Sequence, residues 1–136
     1  MRSGGLVLRK ILSGIYLLTA LSVSLGGFGH GSQWSEHMRP ALGGVAPDVV
    51  SVLALVWFWV SGGMFVLGVL LILAWWRGGR GDTSLGYVPW VVAAFYLVEG
   101  IYGGVRLGPF FFLFALQAVL IFGTAWALRP LRAEAP

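Results

Sequence analysis

The sequence contains no cysteine, which removes disulfides, thiolate metal ligands and thiol nucleophiles in one step. Charge is nearly as scarce: 10% of the 136 residues, with five acids, and two histidines besides. No two carboxylates pair on one helical face, no Ser-His-Asp set is suggested, and neither H-E-x-x-H nor G-x-S-x-G occurs. An enzyme is not expected from this residue set. Nucleic acid is not an expected partner either, although the isoelectric point is near 10.1. The nine basic residues flank apolar runs instead of forming a stripe with aromatics between them.

What the chain has in abundance is apolar surface. Hydrophobic residues make up 58% of it and the mean hydropathy is +0.87, more than one soluble core of this size conceals. Four apolar runs stand out, about 6–28, 49–76, 87–105 and 109–128. Each reaches or approaches the roughly 20 residues needed to cross about 30 Å of hydrocarbon. The predicted fold is all-α, a single transmembrane domain of four membrane-spanning helices. The first run follows Arg2, Arg9 and Lys10 like a secretory leader, but it is longer than a leader's apolar core and no small-residue cleavage site follows, so it reads as a retained helix. The second carries no charge for 28 residues and closes with Trp75 and Trp76 before Arg77, the signature of a helix end at headgroup level. The third contains one acid, Glu99. The fourth opens with Pro109 and is predicted to stop at Arg129-Pro130.

The links set the arrangement. Arg106 to Pro109 is long enough only for a tight antiparallel turn, so the last two helices form a hairpin. Arg77 to Gly86 is Gly-rich and polar and reads as a mobile loop. The longest link, about 29–48, is expected to hold a short interfacial helix with Ser32 as its N-cap. Trp34 and Met38 would then face the membrane, and Glu36, His37 and Arg39 water. Lysine and arginine fall mainly at the N-terminus, the second link and the C-terminus, seven of the nine in all. Cytoplasmic flanks are enriched in these residues, so both termini are expected inside.

Glu99 is the leading candidate for chemistry, because a carboxylate inside an apolar span is costly and normally faces protein or a water-filled path. At 100° per residue, Val92, Phe95, Tyr96, Tyr102, Gly103 and Arg106 share its side. A turn centred near Gly108 puts Glu99 level with Gln117. An intramembrane polar layer of Glu99, Gln117, Ser22, Thr19, Tyr96 and Tyr102 is therefore predicted, serving either as a protonatable site for transport or as hydrogen-bonded glue between helices. The outer loop gathers His30, Glu36 and His37, which supply the donor types of a metal site without any recognised motif spacing. An alternative role for His30 is to cap the carbonyl end of the first helix. Three small-x3-small pairs, Gly100/Gly104, Ser22/Gly26 and Gly123/Ala127, mark candidate helix contacts. Aromatics such as Trp57, Phe58, Trp59 and Phe110 to Phe112 cover all sides of their helices. Lipid or another membrane subunit is their expected neighbour, with a pigment or quinone as the alternative.

The length, the four spans with both ends inside, the long first outer loop and the Gly108-Pro109 hairpin together resemble the small bacterial four-helix membrane families grouped as DoxX-like or uncharacterised. The resemblance is one of layout; it implies a bacterial inner membrane and carries over no site residue. The expected function is that of a non-enzymatic subunit or self-associating scaffold of a membrane complex, surrounded by lipid and other membrane subunits. The alternatives are a small proton- or cation-coupled carrier using Glu99, and a metal- or haem-binding electron-transfer component using His30 and His37.

Overall fold

The structure is a computed structural model describing residues 2–133. Four long helices carry the chain: α1 (Arg2–Gln33), α2 (Pro47–Gly79), α3 (Val88–Arg106) and α4 (Phe112–Ala133). No strand occurs among the described residues. All four are long and apolar enough to cross a membrane, the multi-pass architecture expected of so apolar a chain.

The helices run up and down around a ring. The α1–α2 and α3–α4 pairs pack most extensively, α1 also lies against α4, and α2 touches α3 only lightly. The core is a column of Tyr16, Ala20 and Val23 from α1, Leu71 and Ala74 from α2, Val92 and Tyr96 from α3, and Ala118, Ile121 and Leu128 from α4. Small residues let the backbones come close. A β-carbon on Gly68 would lie within 2.5 Å of the Ser24 backbone, and one on Gly27 would strike Ser61. The α1–α2 contact is therefore made on Ser24, Gly27 and Gly31 facing Ser61 and Gly68. The Gly123/Ala127 pair anticipated above is not used, since Gly123 is exposed and meets nothing.

Helix α1 does not stop near Phe28. It passes through Gly29 and Gly31 and continues as a π turn over Trp34–Met38 and a last turn over Arg39–Ala41. The expected separate interfacial helix is thus the end of α1, and neither the Ser32 N-cap nor a His30 cap forms. The Ser32 hydroxyl donates back to the Gly29 carbonyl at 2.9 Å, and His30 sits inside the helix. Pro40 accounts for the wide turn. Its ring crowds the carbonyl four residues back, and the helix responds with the five-residue bond from the Arg39 N–H to the Trp34 carbonyl. At the other end of the chain, α4 runs on through Arg129 and Pro130 to Ala133, one ladder donor short, instead of ending there.

The second link has a definite shape where a mobile loop was expected. Gly81, at φ +82°, closes α2. Its N–H bonds the Gly78 carbonyl at 3.2 Å while the Asp82 N–H reaches the Arg77 carbonyl at 3.0 Å, the paired bonds of a glycine-terminated helix. The Asp82 carboxylate then accepts the Ser84 N–H at 2.9 Å and meets Arg77 Nε at 3.0 Å. Those Ser84 bonds, with the Arg77 guanidinium adding to them, hold its carboxyl below the ordinary 3.8.

Candidate functional site

The predicted polar layer assembles in part. Gln117 Nε2 donates to Ser22 Oγ at 2.9 Å, and Ser22 Oγ in turn donates to the Thr19 carbonyl at 2.8 Å. The Thr19 hydroxyl turns back onto the Ile15 carbonyl. Thr19 and Gln117 are buried and Ser22 is exposed, so this is a short, partly buried bridge between α1 and α4. The Tyr96 hydroxyl and Gln117 Oε1 are also buried, with no hydrogen-bond partner among the described residues.

Glu99 and Tyr102 do not join the layer. Both are exposed on the outer side of α3, and Tyr102 is 62% exposed. The residues read as one side with Glu99 are divided by the packing: Val92, Tyr96 and Gly103 face inward, Phe95 and Arg106 outward. The reason is the α3–α4 contact. A β-carbon on Gly100 would meet the Ala115 backbone, and ones on Gly103 and Gly104 would come within 2.6 Å of Phe111 and Phe112. These glycines give the closest approach, and α3 turns them toward α4. Glu99, about 60° around the helix from buried Tyr96 at 100° per residue, is left on the outside. It is level with Gln117, as read from the turn, but on another side of the bundle.

The histidines are separated too. Among the described residues no three His, Asp or Glu side chains gather as metal ligands. Glu36 and His37 are exposed, whereas His30 is engaged across the α1–α2 contact. Its Nδ1 lies 2.9 Å from Ser61 Oγ, and its ring stacks on Trp57 with centroids 4.0 Å apart. Trp57 Nε1 donates to the His30 carbonyl at 2.7 Å. The Ser61 hydroxyl gives its hydrogen to the Trp57 carbonyl at 2.9 Å, which makes His30 Nδ1 the donor of the pair. Trp34, expected at the membrane surface, is instead buried beside Trp57 and Phe58. This cluster joins α1 to α2. Sequence reading missed it because nothing local relates position 30 to positions 57 and 61.

What the described residues offer chemically is one carboxylate displayed on an apolar outer face and a small, partly buried hydrogen-bond bridge between α1 and α4. Comparison with family models, with curated proteins and with solved structures gives no match.

Proposed function

We propose that this chain is a non-enzymatic subunit of a larger membrane assembly, seated against another membrane protein along the outer face of α3. Glu99 is the observation that carries the reading. It lies about 10 Å along the helix from Arg106, exposed, among Phe95, Val98 and Tyr102, which are 53%, 66% and 62% exposed. A carboxylate turned toward hydrocarbon costs on the order of 3 kcal/mol, and a hydrogen-bond donor from an adjoining helix offsets that cost. The interior beside it holds Tyr96, Gly100, Gln117 and Ala118, all buried, which favours a partner contact over a Glu99-coupled carrier. Lipid covers the remaining apolar surface. The basic residues gathered where the termini lie favour both ends on the cytoplasmic side, and the resemblance of layout to small bacterial four-helix families suits a bacterial inner membrane.

Extraction in a mild detergent through an affinity tag tests the reading. The wild-type chain is expected to isolate with a fixed membrane protein or a second copy. Glu99→Leu should lose that partner while keeping its helical content, and Glu99→Gln, which retains hydrogen-bonding capacity, should lose much less. A wild-type chain that runs alone at 14.7 kDa even after cross-linking inside the membrane overturns the proposal.

A further inference from the structure

At the end of the bundle that carries both termini, the four helices and the 80–87 link line a partly open cavity of about 870 Å³. Three guanidinium groups line it: Arg9 from α1, Arg80 from the link and Arg129 from α4. Asp82, the lining acid, is committed elsewhere, with its carboxylate on Arg77 Nε and on the Ser84 N–H. Arg77 itself does not line the cavity, and its pair with Asp82 is the one ion pair among the described residues. Two of the three arginines are also held in place. The Arg80 guanidinium lies 3.9 Å over the Trp76 ring and that of Arg129 4.4 Å over Trp90. Stacking of this kind orients the planar fork and leaves its charge unneutralised. The cavity is thus cationic at its polar end, while Trp75, Trp90 and Ala74 supply an apolar wall.

We propose that this cavity binds the phosphate of an anionic amphiphile, with Arg9, Arg80 and Arg129 converging on the phosphate oxygens and the apolar part of the ligand lying along Trp75 and Trp90. Three features suit that ligand class. Guanidinium forks match phosphate oxygens, with charge-assisted hydrogen bonds about twice as strong as neutral ones. Gly78, Gly79, Gly81 and Gly86 line the cavity and bring bare backbone to it, leaving room for a headgroup. Basic pockets between membrane helices at the level of Trp and Tyr side chains are where anionic headgroups reside. The site is independent of whatever adjoins Glu99, which lies on the outer face of α3 and does not line the cavity.

Native mass spectrometry of the purified chain in a non-ionic detergent, with short-chain phosphatidylglycerol or phosphatidylcholine added, tests this. One phosphatidylglycerol should be retained per chain, at least tenfold more strongly than the zwitterionic lipid. Arg80→Gln and Arg129→Gln, both at exposed positions, should each weaken retention roughly tenfold, the loss expected for one charge-assisted contact. Arg80→Lys should weaken it less, and Arg39→Gln, at the opposite end, should leave it unchanged. Calorimetric titration with inorganic phosphate separates the sources of the phosphate group: binding as tight as that of the lipid assigns the site to a soluble phosphate and overturns the amphiphile. Equal retention of the two lipids, or retention unmoved by both arginine variants, overturns the site altogether.

Discussion

Gly100 meets Ala115 so closely that a β-carbon there would strike the Ala115 backbone nitrogen, whereas one on Gly123 would meet nothing. Both belong to small-x3-small pairs in the sequence, yet only the first lies at a contact. Gly100→Leu is therefore expected to lower the thermal midpoint in detergent, with a cost on the order of 1–3 kcal/mol for forcing the hairpin apart, and Gly123→Leu to leave it nearly unchanged. Equal effects at the two positions would contradict the register described for α3 and α4. The Tyr96 hydroxyl allows a sharper test. It is buried without a partner among the described residues, and an unpaired buried hydroxyl carries a desolvation cost and no compensating bond. Tyr96→Phe should hold the thermal midpoint constant or raise it by the equivalent of about 1 kcal/mol; a clear drop would reveal a hydrogen bond that the fold as described does not contain.

Among the elements, α1 and the second link depart furthest from expectation, and in the same sense: both are more ordered than their glycines suggest. Gly29 and Gly31 invite a helix end, but Gly31 lies against Ser61, and the α1–α2 contact rewards continuation more than the glycines penalise it. The link is likewise shaped by its polar residues, with Asp82 held by Ser84 and Arg77. Because the folded-state value of Asp82 lies below the ordinary 3.8, its contribution to loop order is complete above that pH and is lost as the pH falls through the lower, folded value. Following the Ser84 amide shift by NMR against pH should give a midpoint below 3.8. A midpoint at or above that figure would mean that the carboxylate is not held as described.

On the scale of the whole molecule, the two hairpins differ in length. At 1.5 Å per residue, α2 is about 50 Å long and α3 about 28 Å, so the α1–α2 pair overhangs the α3–α4 turn at the end away from the termini. The 28 residues of α2 without charge span about 42 Å, more than the roughly 30 Å of a bilayer core. Trp59, in α2, is 80% exposed. Tilt or a neighbouring protein must take up the difference, which again suits a subunit packed among others. The lack of cysteine makes topology simple to measure. Ser35→Cys, exposed near the tip of the long hairpin, should react with a membrane-impermeant maleimide on intact cells, and Thr83→Cys, exposed in the second link, only after permeabilisation. The opposite pattern would invert the proposed orientation, and labelling of both on intact cells would remove the bilayer from between them.

Helix number, approximate spans, the α3–α4 hairpin and the level of Glu99 against Gln117 were all legible in the sequence, because run length, charge at the run ends and turn length depend on neighbours along the chain. The sides on which side chains fall were not. Whether Glu99 or Tyr96 faces inward depends on how α3 rolls against α4, and that roll is decided by the fit of Gly100, Gly103 and Gly104 to residues of the other helix. The pairing of His30 with Trp57 and Ser61, and the convergence of Arg9, Arg80 and Arg129 on one cavity, likewise join residues far apart in the chain. Composition and periodicity determined that this protein is built of four apolar helices; only their packing decided which polar groups became shared bonds and which were left displayed on the surface, because that choice minimises the gap between helices and not the burial of any single residue.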